Sequence, residues 1–177
     1  MAADPHVDPN ASSPSGLRRR LTARVLLFDP QDRLLLMKGR LPSAPGRPGA
    51  WFTVGGGAAP GETIRAAAAR EILEETGFLA FDLGPVVWRR EGALALAAET
   101  VWMDEHYLLA RCPRGDPVRH GWQADEHALV DDIRWWTLAE LTTTGERVFP
   151  SGLAGLLPDI LAGRVPNPPL WIGWDET

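Results

Sequence analysis

The sequence predicts a mixed α/β fold, in which helices cover the faces of a mixed β-sheet. Several short apolar runs rich in leucine and valine are typical of buried strands. An alanine-rich stretch that ends at a glycine is typical of a helix. Strands and helices follow one another without regular alternation, which favours a mixed sheet over a parallel one. One domain accounts for the length of 177 residues.

The chain begins with a predicted hairpin. Residues 21–28 and 34–38 are apolar runs, and the Asp-Pro-Gln-Asp sequence at 29–32 between them predicts a turn. Residues 39–50 are rich in proline and glycine and predict a loop, which leads to a short strand at 51–54. We therefore expect the chain to enter the glycines that follow directly from a strand.

A helix of three to four turns is predicted at residues 63–75, with Gly77 as its C-terminal stop. Glu71 lies three residues before Glu74 and four before Glu75, so the three side chains can converge on one side of the helix. Like charges at this spacing repel one another, and a cation would make the arrangement favourable. All candidate ligands are oxygens, which favours magnesium, manganese or calcium over zinc.

The substrate class follows from the way magnesium is held in proteins. Magnesium prefers a few carboxylates together with substrate phosphates, so the cluster predicts a phosphate ester or anhydride as the substrate. Arg70, four residues before Glu74, is expected to orient a carboxylate through a charge-assisted bond. The glycines at 55–57 allow their backbone to approach a metal closely.

The second half of the chain adds further strands and two helices. The predicted elements are strands at 84–90, 100–110 and 133–136, a short helix at 138–141, and an amphipathic helix at 151–162. We expect Pro158 to interrupt the last helix, because proline removes a backbone donor.

Composition sets the expected domain boundaries. Residues 1–17 hold prolines and serines without an apolar core, so we expect a flexible leader and no secretory signal. Residues 18–165 form the predicted folded domain, and residues 166–177 a proline-rich tail. The tail contains three large apolar side chains, Trp171, Ile172 and Trp174. They favour either a packing arm or an interface patch, so a homodimer stays open.

Composition also argues against two classes of partner. The net charge of −5 argues against general nucleic-acid binding, and no tract of 18 apolar residues could span a membrane. Arginines 18–20 favour a solvated edge before the first strand over a nucleic-acid patch. For Arg24, within that strand, a surface charge is favoured over a base or phosphate contact. Cys112 is the only cysteine, so a cytoplasmic location is expected.

The stretch at 56–78 resembles the Nudix box, the signature of the MutT-like Nudix hydrolases. There a glycine is followed after five residues by Glu, and after seven more by Arg-Glu-hydrophobic-x-Glu-Glu-x-Gly-hydrophobic. This chain matches without departure, at Gly56, Glu62, Arg70, Glu71, Ile72, Glu74, Glu75, Gly77 and Phe78. The resemblance implies a Nudix α/β/α sandwich with a mixed β-sheet.

The resemblance also implies an activity. A Nudix enzyme uses magnesium, with manganese as the alternative, and a water molecule to cleave a pyrophosphate bond in a nucleoside diphosphate linked to another moiety. The implied metal ligands are Glu71, Glu74, Glu75 and the carbonyl of Gly56. Arg70 would orient the carboxylates, with Glu62 in support. Cations suit this reaction, because they neutralise phosphate oxygens and lower the pKa of the attacking water.

The general base stays open, since family members take it from the box or from a distant loop. We count Arg70, Glu74 and Glu75 as catalytic within the box. The acidic candidates outside it are Glu99, Asp104, Glu105, Asp125 and Glu126. We favour Glu126, because it lies in a polar stretch from which a mobile loop could swing a carboxylate toward the metals. Glu105, within a strand, is the alternative.

The substrate itself is not named by any motif. Residues 39–50 and 92–100 are expected to line the pocket and set specificity. Trp102 and Trp122 are the better candidates for stacking on a base, and His127 for contacting a phosphate. A second hypothesis is a nucleotide-sensing module that binds without cleaving, although the intact carboxylates favour the hydrolase. An isoprenoid diphosphate isomerase finds little support in the single cysteine.

Overall fold

The computed structural model describes residues 13–40, 49–96, 98–118 and 130–174. Within these ranges the strands are β1 Arg19–Phe28, β2 Leu34–Gly39, β3 Ala50–Thr53, β4 Asp82–Ala95, β5 Thr100–Arg111, β6 Val130–Trp136 and β7 Leu170–Trp171. The helices are α1 Ile64–Thr76, α2 Leu138–Thr143 and α3 Leu153–Leu161. No helix in the described ranges is long and apolar enough to cross a membrane.

The strands form one mixed sheet, as predicted. Its order is β3-β2-β1-β5-β4-β7, and β6 pairs with β2. β1 runs parallel to β5 and β4 parallel to β7, whereas the other pairs are antiparallel. Parallel neighbours need a crossover connection. Between β1 and β5 that crossover contains α1, which is how the acidic helix comes to lie against the sheet.

Helix α1 begins and ends where the sequence predicts. The Thr63 side chain accepts the backbone N–H of Ala66 at 3.1 Å, and Gly77 ends the helix with a φ of 73°. A stripe of apolar residues faces the sheet and is buried: Ile64, Ala67, Ala68 and Ile72. The alanines on this stripe are small, so the helix backbone can approach β1 closely. The glutamates that follow on the helix therefore lie near the glycine turn at residues 55–57.

A second core lies on the other face of the sheet, beneath α2 and α3. Leu153, Leu157 and Ile160 of α3 are buried there, with Trp51 and Trp136 among their core partners. The expectation that Pro158 interrupts this helix is wrong, because α3 continues to Leu161. Proline removes one donor from a nine-residue helix. The buried leucines and isoleucine supply the packing that keeps the helix intact on both sides of Pro158.

Two features of the sheet extend beyond the predicted elements. β4 continues to Ala95, so part of the segment expected to line a pocket is strand. β7, in the proline-rich tail, pairs with Trp88 and Arg89 of β4. Beyond it, the Trp174 indole lies on Gly92 and donates to the Ala93 carbonyl at 3.2 Å. The described part of the tail is thus attached to the edge of the sheet.

Candidate active site

Arg70 joins the predicted site residues of α1 to the turn before the helix. Its guanidinium makes five hydrogen bonds, which use all five of its N–H groups. Two of them form a fork to Glu62, both at 3.0 Å. Nη1 donates to Glu71 and to Glu74, each at 2.8 Å. The last bond, at 3.1 Å, goes to the Gly57 carbonyl. One side chain therefore fixes three carboxylates and the glycine turn.

The fork also sets the charge state of Glu62. The hydrogen bonds from Arg70 lower the pKa of this carboxyl below its ordinary value, against the smaller opposing effect of burial. Glu62 also accepts the backbone N–H of Ala59 at 2.8 Å. It stays ionised at neutral pH and binds Arg70 through both of its oxygens.

Glu75 is held by a different group. Its Oε2 accepts the backbone N–H of Gly55 at 2.7 Å. Gly55 has a φ of 137°, in a region that side-chain-bearing residues rarely adopt. Only a glycine at this point lets the chain turn so that its N–H points at the helix. The structure thus brings Glu75 to the entrance of the glycine turn, while Arg70 gathers Glu62, Glu71 and Glu74.

Glu71 is buried and lies against Gly56. It is 8% exposed, and a Cβ added to Gly56 would come within 2.3 Å of its Oε1 atom. The Gly56 carbonyl accepts the N–H of Ala23 at 2.9 Å, which leaves its second lone pair. In contrast, the Glu74 side chain is 46% exposed. The three glutamates therefore differ in their surroundings. Glu71 is buried, Glu74 faces solvent, and Glu75 binds the glycine turn.

These residues suit a hard divalent cation. The donors are carboxylate and carbonyl oxygens, and the missing side chain of Gly56 leaves the space that the buried Glu71 carboxylate occupies. Among the described residues, no three Asp, Glu, His or Cys side chains are already arranged around one point as ligands. Arg70 holds Glu71 and Glu74 through its own positive charge instead.

The space beside Gly56 leads to a first prediction. Replacement of Gly56 by valine is expected to weaken magnesium binding by about 10-fold or more, because the new side chain displaces the Glu71 carboxylate. The clash is with a side-chain end, so we expect the protein to fold. Isothermal titration with Mg²⁺, with circular dichroism to confirm folding, measures the effect. Wild-type affinity in the folded variant would contradict the assignment of Gly56 and Glu71 to the metal site.

A network of charged side chains lies next to the glycine turn, on three neighbouring strands. Glu105 of β5 binds Arg24 of β1 through Oε1, at 2.9 Å from Nε and 2.7 Å from Nη2. Its Oε2 accepts Arg90 Nε of β4 at 2.6 Å and the Tyr107 hydroxyl at 3.0 Å. The sequence favours a surface charge for Arg24. In the structure it is 20% exposed and forms an ion pair with Glu105 of β5.

Burial and charge act in opposite directions on Glu105. Burial would raise its pKa, but the positive charges of Arg24 and Arg90 outweigh burial and bring the pKa to about 2. Asp104 behaves in the same way, with a pKa of about 2 under the influence of His106, Arg19 and Arg89. Both carboxylates are thus strongly held anions. Neither is suited to accept a proton from water as a general base.

The two low pKa values predict a loss of stability in acid. Because both are lower in the folded than in the unfolded chain, the stabilisation is complete above about pH 4.5. We expect the free energy of unfolding to fall as the pH drops from there toward 2. Urea unfolding at stepped pH measures it, and Glu105→Gln should flatten the decline. An equally steep decline in that variant would contradict the role of Glu105.

The other site residues proposed from the sequence either have different partners or lie outside the described residues. Glu99 forms an exposed ion pair with Arg18, and Trp102 Nε1 donates to Glu91 at 3.2 Å. The favoured base Glu126, together with Trp122, Asp125 and His127, lies outside the described residues. Arg19, predicted to be a solvated edge, instead binds Asp104 at 2.8 Å and is mostly buried.

Sequence reasoning did not find the Arg24 network. Its signal is the presence of charged residues within apolar strands, as in the sequences RRLTARVLLF of β1 and TVWMDEHYLLAR of β5. A charge inside such a run is buried only if it is paired. The partners could not be named, because they depend on the parallel register that places Thr22 beside Glu105.

Comparisons with known proteins agree with this architecture. A family model described as the NUDIX domain matches residues 18–154, well over half of the chain. A MutT protein from Methanosarcina mazei Go1 has 15% identity and a TM-score of 0.57, over 82% of this chain and 94% of that chain. A NUDIX hydrolase from Nitrosomonas europaea has 20% identity and a TM-score of 0.57, over 83% and 91%.

A third solved structure is that of an ADP-ribose pyrophosphatase from Streptococcus suis 89-1591. It has 15% identity and a TM-score of 0.54, over 87% of this chain and 96% of that chain. At such identities the solved structures show a common fold and no more. No curated protein matches the sequence significantly.

Proposed function

The chain belongs to the Nudix family, and from that membership we propose how this pyrophosphohydrolase works. It uses magnesium to cleave a pyrophosphate bond in a nucleoside diphosphate linked to another moiety, by attack of water. The observation that carries the proposal is the five-bonded Arg70, which gathers Glu62, Glu71 and Glu74 beside the glycine turn. Carboxylates held this close repel one another, and a bound cation would offset that repulsion.

Each residue has a distinct task in this proposal. Glu71, Glu74 and Glu75 would hold magnesium beside the glycine turn. Once bound, the metal neutralises charge on the phosphate oxygens and lowers the pKa of the attacking water. Arg70 keeps two of the carboxylates in place by charge-assisted bonds. We assign the general base to Glu126, in keeping with its place in a polar stretch.

The substrate is proposed only as a class. The related structures are named for different activities, among them an ADP-ribose pyrophosphatase and a UDP-X diphosphatase. What such substrates share is a diphosphate attached to a nucleoside, and this is the group that a cluster of carboxylates with magnesium recognises.

Cys112, the only cysteine of the chain, is a buried free thiol, which is consistent with a proposed cytoplasmic location.

The test is magnesium-dependent phosphate release, coupled to a phosphatase, over a panel of nucleoside diphosphate derivatives and nucleoside triphosphates. We expect one compound to be turned over well above the rest, and EDTA to abolish the signal. The matched control is Asp159→Asn, which removes an exposed charge on α3 that pairs with Arg164. A folded, metal-binding protein that turns over none of these compounds would overturn the proposal in favour of a nucleotide-sensing module.

A further inference from the structure

We propose that Arg24 is a positioning residue that fixes the glycine turn to which Glu75 binds. The inference rests on the proposed function for its catalytic consequence, but its structural content concerns Gly55 alone. The backbone of Gly55 is held on both sides of its Cα atom. Its N–H donates to Glu75 at 2.7 Å, and its carbonyl accepts Arg24 Nη1 in a long hydrogen bond of 3.4 Å. Arg24 thereby reaches Glu75 through a single residue.

The remaining N–H groups of the Arg24 fork explain why it can act as a fixed support. Nε and Nη2 both bind Glu105 Oε1, and Glu105 is in turn held by Arg90 and Tyr107. The side chain of Glu105 is 2% exposed and that of Arg90 is 8% exposed. Arg24 itself is 20% exposed. Because Nε and Nη2 both bind the buried Glu105 carboxylate, the planar guanidinium is held in one orientation. Its Nη1 is thus directed at the Gly55 carbonyl.

Charge points the same way as geometry. Arg24 and Arg90 bring two positive charges to the single negative charge of Glu105. The carboxylate of Glu75 also acts favourably on Arg24. Arg24 therefore attracts Glu75 directly as well as through the peptide. A lysine at position 24 would keep the charge, but its ammonium is a point donor and lacks the planar fork.

The test compares Arg24→Lys with the matched variant Arg90→Lys. Both remove a guanidinium from Glu105, but only Arg24 contacts Gly55. In the metal-free protein we expect Arg24→Lys to shift the Gly55 amide resonance in a ¹⁵N spectrum and Arg90→Lys to leave it near its wild-type position. In titrations with Mn²⁺, we expect Arg24→Lys to weaken affinity about 10- to 100-fold, the range for residues that orient metal ligands.

In Arg24→Lys we expect kcat to fall by about as much as the Mn²⁺ affinity. We expect KM to change by less than about threefold, because Arg24 acts on the glycine turn and not on the substrate. Equal shifts of the Gly55 resonance in both variants, or none in either, would overturn the proposal. If Arg24→Lys does not fold, Glu105→Gln replaces it. That variant keeps the shape of the side chain and removes the charge that holds Arg24. An unmoved Gly55 resonance there would equally overturn the proposal.

The amide measurement separates this inference from the proposed function. The Gly55 resonance needs neither substrate nor metal, so it decides the role of Arg24 in the turn even for a protein that hydrolyses nothing. If no compound is turned over and Arg24→Lys still shifts that resonance selectively, the proposed function fails and the positioning role stands. If turnover is found and the resonance does not move, the proposed function stands and the positioning role of Arg24 fails.

Discussion

Replacement of Glu75 by glutamine is expected to lower kcat by about 100- to 1,000-fold while leaving the fold intact, as befits a metal ligand worth several kcal/mol. Glutamine has nearly the shape of glutamate, and its carbonyl oxygen can still accept the Gly55 N–H that Glu75 binds. What disappears is the negative charge. The variant therefore separates the electrostatic role of Glu75 from its part in shaping the turn. Steady-state kinetics at saturating magnesium measures the loss.

The control for this variant is Asp159→Asn, an amide substitution of an exposed carboxylate on α3. It should keep wild-type kinetics and wild-type thermal stability. Activity of Glu75→Gln within a few-fold of wild type would show that Glu75 does not hold the metal. A large fall in melting temperature would instead mean that the charge serves the fold.

Replacement of Gly55 by alanine should destabilise the protein by about 3 kcal/mol or more. The new Cβ would lie 2.1 Å from the Ala23 carbonyl oxygen and 3.0 Å from Arg24 Cα, both backbone atoms that cannot rotate away. The φ of 137° is unfavourable for alanine as well. Strain of this kind and overpacking each cost roughly 1–3 kcal/mol. For a chain of this size the melting temperature should fall by about 6–12 °C.

Gly155→Ala is the matched control, with the opposite expected sign. Gly155 lies within α3, and nothing lies within 4 Å of an added Cβ. Alanine there should stabilise the helix by about 0.5–1 kcal/mol. Differential scanning calorimetry of both variants measures the pair. An unchanged melting temperature in Gly55→Ala would mean that β1 and the glycine turn can separate, against the close approach seen here.

The structural features near the site that were predicted correctly depend on residues that are close together in the sequence. Helix α1, its cap at Thr63 and its stop at Gly77 follow from local preferences, and so does the closeness of Arg70 to Glu74. The pairing of Arg24 with Glu105 does not, because Glu105 is 81 residues away and no local pattern gives the register of a parallel pair. The two residues of β7 are too few to leave a periodic pattern.

The Pro158 error has the opposite origin. Proline does remove a backbone donor from a helix, and this is why an interruption was expected. In α3, however, the burial of Leu153 and Ile160 fixes both ends of the helix. Tertiary packing overrides propensity in such short elements. The general base illustrates a third case, since a role that depends on loop position cannot be read from a carboxylate and its neighbours alone.

The parallel pairing of β1 with β5 also governs when the domain can form. Ten register pairs join them, from Arg19 with Trp102 to Phe28 with Arg111. A ribosome adds roughly 5–20 residues per second, so β1 leaves the exit tunnel several seconds before its partner has been made. Throughout that interval β1 can pair only with β2 and β3, and the edge that β5 will occupy stays open. We therefore expect the nascent chain to present one unpaired edge of β1 until β5 emerges.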